Sequence, residues 1–202
     1  MGLENKVVLI TGAARGIGAE TARRAVAKGA RVALVGLEPE RLRSLSDELG
    51  ERAAWFEADV TDQAQVDGAV AGTVAAFGGI DVVLANAGVG NSGTVAITPV
   101  EVLLRTIEIN LDGVVRTVSA ALPHVTQRGG YVMIVSSTEV VAFSGQGNFS
   151  NASSKLLRSL RWSRTRSVSI QPGCTDPTLT PLWATSSRRQ LANCSTAALE
   201  AA

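Results

Sequence analysis

The chain of 202 residues is 46% hydrophobic and 18% charged with a formal net charge of +1, a composition that fits one soluble globular domain and excludes a disordered or many-domain chain. No apolar run reaches the ~18 to 20 residues that a membrane helix needs, and Met1 to Lys6 lead into a strand-like segment with no signal-peptide core, so a cytoplasmic protein without a membrane partner is expected. Cys174 and Cys194 are too few for a disulfide framework or a zinc knuckle, and no metal site is expected.

In chain order, short strand-like runs at residues 7–11, 31–36, 53–57, 80–86 and 131–136 alternate with helical stretches. That alternation predicts an α/β fold, a doubly wound parallel sheet in three layers, with ligands beyond the carboxyl ends of its strands. After Thr61-Asp62 a helix carries Val66, Ala69, Val70, Val74 and Phe77 on one face and ends at Gly78-Gly79. A longer helix keeps a 3.6-residue period through Leu103, Leu104, Ile107, Leu111, Val114, Val115, Val118 and Leu122. Thr98 as N-cap, Pro99 at the first helical position and Glu101 at the third form a capping box at its start, and Pro123 is expected to stop it. Further on, residues 151–164 predict a helix and 167–171 a strand, with Pro172-Gly173 as a turn. Residues 1–176 are therefore read as one domain and 177–202 as a poorly ordered tail.

The carboxyl part differs in composition from the rest. Residues 1–135 contain four serines and residues 136–202 thirteen; up to Glu139 the net charge is −4, and from Val140 onward it is +5. A basic, serine-rich tail is one form of nucleic-acid arm, but its arginines carry no regular series of interleaved aromatic residues to act as stacking platforms. No nucleic-acid partner is expected.

The chemistry-bearing motifs begin where the first strand meets its helix, in Thr11-Gly12-Ala13-Ala14-Arg15-Gly16-Ile17-Gly18. Glycines there let backbone amides approach a pyrophosphate at a helix N-terminus. Asp59-Val60 follows the third strand, Asn86-Ala87-Gly88 the fourth, and Asn110 lies in the long helix. With these motifs in this order, residues 3–155 resemble the short-chain dehydrogenase/reductase family, which implies a Rossmann-type fold. The resemblance further implies that Gly12, Arg15, Gly16, Ile17 and Gly18 line the diphosphate and adenine ribose, and that Asp59 and Val60 flank the adenine. Asn86, Ala87 and Gly88 would support the central strand and the cofactor.

An acidic side chain at the tip of the second strand accepts from a ribose 2′-hydroxyl and repels a 2′-phosphate. This chain has Gly36-Leu37 at that tip, with Glu38 following, and Arg15 stands at the family position that pairs with a 2′-phosphate. NADP is the favoured cofactor and NAD the alternative.

The family's chemistry uses a Ser to hold the substrate oxygen, a Tyr to give or take its proton, a Lys four residues later, and an Asn that anchors a proton-relay water. Asn110, Ser137 and Lys155 match, Lys155 also as a cofactor contact, whereas the tyrosine is absent. Asn151 stands four residues before Lys155, and an alternative register places Ser150 there. Neither is a phenol. Tyr131 is the only tyrosine in the chain, and as the first residue of the fifth strand it would lie roughly 17 Å from the carboxyl end at ~3.3 Å per residue. His124 is read as a charge partner of its helix end.

Only sixteen residues separate Lys155 from Pro172, Pro177 takes the usual threonine position, and no lid or last strand is recognisable, which implies a divergent or truncated carboxyl part. Three readings follow. The chain is an oxidoreductase moving hydride between NADP(H) and a small-molecule alcohol or carbonyl, a non-catalytic dinucleotide-binding or interaction protein, or a degenerate product. Arg158, Arg161, Arg164 and Arg166, close together on one predicted helix and just after it, disfavour self-association through that face, so a monomer or weak homodimer is expected.

Overall fold

In the computed structural model, residues 2–90 and 97–136 are described. The helix expected at 151–164, the strand at 167–171 and the tail at 177–202 lie outside them. Five strands, Val7–Thr11 (β1), Arg31–Gly36 (β2), Ala53–Glu57 (β3), Val82–Ala85 (β4) and Tyr131–Ile134 (β5), pair in parallel in the order β3-β2-β1-β4-β5. Val8 lies opposite Val32 on one side and Val82 on the other, which fixes the register.

The helices are Gly16–Ala27 (α1), Pro39–Leu49 (α2), Gln63–Phe77 (α3), Val100–Ile107 (α4) and Gly113–Gln127 (α5). Alternation along β1 shows how the layers arise. Val8 and Ile10 pack with Ala22 and Leu42 of α1 and α2, while Val7 and Leu9 pack with Val70 of α3 and Val125 of α5. A strand buried on both faces needs an unbroken apolar run, which Val7-Val8-Leu9-Ile10 supplies. The doubly wound, three-layer Rossmann-type sheet is thus the architecture of these residues.

The expected boundaries of β1, β2 and β3 agree with the structure to the residue, and β4 and β5 are shorter than the apolar runs that predict them. In α3 the Asp62 carboxylate caps the start, accepting from Ala64 N at 2.9 Å and Gln65 N at 3.2 Å, and Gly78 closes the end at φ +77°. The long helix departs from expectation in three ways. It begins at Val100 with Pro99 in the cap position, a π-helical turn Glu108–Asp112 divides it, and it passes through Pro123 to Gln127. Proline removes one donor from α5, but fully buried Ala121 and Val125 on either side hold the helix against the sheet. The chain turns away only past Arg128, where Gly129 takes φ +61°.

At the amino edge of the sheet a buried carboxylate joins three segments. Asp81 accepts from Val7 N at 2.9 Å, Lys6 Nζ at 3.0 Å and Arg128 Nη1 at 3.2 Å, and its side chain is 7% exposed. Burial pushes its carboxyl up, but the Val7 amide and the Lys6 and Arg128 cations outweigh burial and hold it below the ordinary value. A carboxyl depressed in the folded state stabilises above its unfolded pKa of about 3.9 and loses that contribution as pH falls through the folded value. Asp81→Asn is expected to cost roughly 1–3 kcal/mol near neutrality and to flatten the acid limb of a stability-against-pH curve. An unchanged acid limb in chemical denaturation would remove Asp81 from that role.

Candidate functional site

The strand order reverses between β1 and β4, and in open α/β sheets a ligand crevice forms outside the strand ends at such a point. Two residues tie those ends together. Thr11 Oγ1 accepts from the backbone N–H groups of Asn86 and Ala87, each at 3.1 Å, while Asn86 Nδ2 donates to the carbonyls of Thr11 at 3.0 Å and Gly12 at 3.2 Å. The Asn86 amide nitrogen is thereby spent on the scaffold, which assigns it a supporting part in the crevice floor.

The glycines of the loop do different work. A Cβ on Gly12, which holds φ +65°, would stand 2.8 Å from the Ala87 Cα, and one on Gly18 would land on the Gly12 carbonyl oxygen and 2.8 Å from Asn86 Nδ2. These two let β1, α1 and the segment after β4 approach each other. Gly16, at φ +61°, has nothing within 4 Å of such an atom, so its open side faces space. Behind it, α1 starts with Arg15 in extended conformation, with no side-chain cap and no acidic residue in the first turn. An uncapped helix start behind an open glycine fits a phosphate-bearing ligand, because the first-turn N–H groups have no partner outside their helix among the described residues. The residues present thus fit the pyrophosphate of a dinucleotide, with Ile17 half-buried beside them.

Arg15 does not stand alone. Its Nε meets Glu38 Oε1 at 2.9 Å, and Arg41 Nε meets Glu38 Oε2 at 2.9 Å. Leu37, 58% exposed, lies next to this trio.

Asp59, expected at the adenine, is already engaged. Its Oδ1 accepts from Thr61 N and Thr61 Oγ1, both at 2.8 Å, and its Oδ2 from Arg105 Nη2 at 3.2 Å. Burial pushes the carboxyl up, yet the Thr61 and Arg105 contacts together hold it below its ordinary value. Arg105 also donates to Glu108 Oε2 at 2.8 Å, stitching the turn after β3 to the start of the π-helical turn. The Val60 side chain is buried, and a Cβ on Gly113 would come 2.7 Å from its Cγ2. Only the backbone of Val60 is left to flank a ligand.

Asn110 lies within the π turn, a geometry that concentrates at functional sites. Its Oδ1 accepts from Val89 N at 2.8 Å and its Nδ2 donates to Val89 O at 2.9 Å. The side chain therefore fixes the segment that follows Gly88. Ser137, Asn151, Ser150 and Lys155 lie outside the described residues; Ser136, just beyond β5, is exposed. Tyr131 sits at the opposite, amino end of β5, where burial pushes its phenol up to about 12.

Sequence reasoning missed the Arg41 and Arg105 contacts and the π turn. Gly113, three residues after Asn110, was the available signal for the π turn, since a glycine inside a helix marks close approach to a neighbour.

This fold and crevice define a dinucleotide-fold protein, and comparison with known proteins narrows the class. A family model described as short chain dehydrogenase matches residues 6–187, past residue 155 where the motif resemblance stops. The chain belongs to the short-chain dehydrogenase family. It is 32% identical over 196 residues to the (2S)-[(R)-hydroxy(phenyl)methyl]succinyl-CoA dehydrogenase subunit BbsD of Thauera aromatica, covering 91% of this chain and 77% of the relative. Seven other curated relatives are matched over only 54 to 65% of their own length. Among solved structures, a 3-ketoacyl-(acyl-carrier-protein) reductase from Brucella melitensis complexed with NADH superposes with a TM-score of 0.73 at 29% identity, over 77% of this chain and 66% of that one. An alcohol dehydrogenase from Thermococcus sibiricus complexed with 5-hydroxy-NADP gives 0.72 at 31% identity, over 76% of this chain and 67% of that one. Among the described residues no helix is long and apolar enough to cross a membrane.

Proposed function

We propose that the chain is a nicotinamide-dinucleotide-binding oxidoreductase that transfers hydride between NADP(H) and an alcohol or carbonyl, with turnover limited by the missing phenol. The observation that carries this reading is the uncapped start of α1 behind Gly16 at the point where strand order reverses. Gly12, Gly16, Ile17 and Gly18 would hold the diphosphate, Asp59 and the Val60 backbone the adenine, and Ala87 and Gly88 the nicotinamide side of the crevice. A bound nicotinamide supplies or accepts the hydride. Ser137 would hold the substrate oxygen, and Lys155 the nicotinamide ribose. Relatives and structural neighbours named for oxidation of hydroxyl or reduction of keto groups support this reaction class.

The guanidinium of Arg15 beside the crevice supports NADP(H), since it suits bidentate contact with a phosphate. Fluorescence titration is expected to show saturation by NADPH and by NADH. Arg15→Glu, which puts a second carboxylate next to Glu38, is expected to weaken NADPH roughly tenfold, or ~1.4 kcal/mol, and NADH by less. A flat titration with both cofactors would refute dinucleotide binding, whereas equal weakening would take Arg15 away from the 2′-phosphate.

A second reading, non-catalytic dinucleotide binding, is favoured by one observation. The only tyrosine stands at the amino end of β5, away from the crevice.

A further inference from the structure

We infer that Arg105, in the last turn of α4, is a positioning residue for the dinucleotide: its one guanidinium holds in a single frame the Asp59 carboxylate and Glu108, the first residue of the π turn that carries Asn110. The inference rests on the reading of Asp59 and the Val60 backbone as the adenine contact. Arg105 touches no reacting atom in that reading and acts through the residues it holds.

Each branch of the guanidinium has its own task. Nη2 donates to Asp59 Oδ2 at 3.2 Å, while Nη1 donates to Thr61 Oγ1 at 3.1 Å and to Glu108 Oε2 at 2.8 Å. Thr61 closes the ring, because its hydroxyl accepts from Arg105 and donates to Asp59 Oδ1 at 2.8 Å. One oxygen of Asp59 is thus set by Thr61 and the other by Arg105, which fixes the plane of the carboxylate. From Glu108 the tie continues along the chain, since two residues on Asn110 holds the N–H and carbonyl of Val89, next to Gly88. A planar fork can serve two carboxylates at once, whereas an ammonium on a flexible stem is a single point of charge.

The arrangement does more for orientation than for stability. Arg105 is 48% and Glu108 41% exposed, and ion pairs this exposed stabilise a fold little. The close packing of Gly113 on Val60 already joins the same two segments. Without Arg105 the Asp59 carboxyl rises, and the neighbouring Asp62 carboxylate favours the same direction. Asp59 nonetheless stays ionised at pH 7, because Thr61 still donates to it twice and its ordinary pKa is about 3.9. A loss of affinity at that pH therefore reports the place of the carboxylate and not its protonation.

The test uses the full chain and calorimetry with NADH and with 5′-AMP, which carries no nicotinamide, at pH 7 and ~0.1 M salt. Arg105→Gln is expected to weaken 5′-AMP about tenfold and NADH about thirtyfold, with Tm lowered by less than about 4 °C. Glu108→Gln is expected to leave 5′-AMP within about twofold and to weaken NADH about threefold. It removes a negative charge, so the field alone would strengthen both of these anionic ligands. The double variant is expected to bind NADH no worse than Arg105→Gln, whose contact with Glu108 is already gone. Arg105→Lys, the variant to use if glutamine unfolds the chain, keeps the charge without the fork and is expected to weaken NADH about threefold to tenfold. Parental affinities in Arg105→Gln or Arg105→Lys, tighter NADH binding by Glu108→Gln, or additive losses in the double variant overturn the positioning role and leave the dinucleotide reading standing. Failure of the unmodified chain to bind NADH or 5′-AMP overturns both.

Discussion

Gly18→Val is expected to lower Tm by roughly 5–15 °C and to abolish cofactor binding, while Gly16→Ala removes binding with a far smaller change in Tm. The two glycines lie in one motif, yet their surroundings differ. A Cβ at position 18 would land on the Gly12 carbonyl oxygen, 2.8 Å from Asn86 Nδ2 and 3.0 Å from Ala13 Cα. None of these can yield cheaply: two are backbone, and Asn86 Nδ2 holds the ends of β1 and β4 together through Thr11 O and Gly12 O. Overpacking costs about 1–3 kcal/mol and a broken buried hydrogen bond a similar amount, and each ~1 kcal/mol lowers Tm by about 2–4 °C in a chain of this size. At Gly16 nothing lies within 4 Å, so an alanine there meets only the strain of φ +61°, about 1–2 kcal/mol. Its methyl group would occupy the open space in front of the α1 amides. Thermal melts paired with NADPH titration separate the cases. A Gly18→Val chain that melts with its parent would contradict the close packing, and a Gly16→Ala chain that binds like its parent would mean the ligand does not approach there.

That contrast also shows what could be read from the sequence. β1, β2 and β4 were legible because each is an apolar run rich in β-branched residues, and burial on both faces leaves such a central strand no polar alternative. The glycine loop was legible because its spacing carries a backbone requirement. By contrast, the Arg15, Glu38 and Arg41 trio depends on two helix starts meeting, which separation along the chain does not reveal. Pro123 was misread for a related reason: local preference ends a helix there, and packing of Ala121 and Val125 against the sheet overrides it. Asn110 was found by its motif, but the task of its side chain, gripping the Val89 backbone from 21 residues away, was not. Periodicity saw one long helix because the apolar positions from Leu103 to Leu122 keep one helical spacing in the sequence across the residues of the π turn.

The proton inventory of the crevice leads to the largest expected effect on activity. Reduction of a carbonyl leaves an alkoxide, and its protonation needs a positioned acid. Within the described residues, both polar atoms of the Asn110 side chain are held by Val89, and the one phenol of the chain, Tyr131, lies at the amino end of β5 with its pKa pushed up to about 12. Asn151 and Ser150, the two candidates for the phenol position, cannot shuttle a proton near neutrality. Lys155 could donate, but an ammonium with an ordinary pKa of ~10.4 is poorly matched to turnover at neutral pH. The chain is therefore expected to reduce ketones and quinones little above background, on protein already shown to bind NADPH. Asn151→Tyr, or Ser150→Tyr if the second register holds, is expected to raise kcat by about 10²- to 10⁴-fold, the usual worth of a positioned general acid. The gain should vanish when Lys155→Ala is added, because the lysine lowers the phenol pKa and orients the ribose in the proposed arrangement. No gain from either tyrosine places the defect elsewhere in the segment that carries Lys155. Robust turnover by the unmodified chain, abolished by Lys155→Ala alone, would mean that the lysine itself donates the proton and that the missing phenol is no handicap.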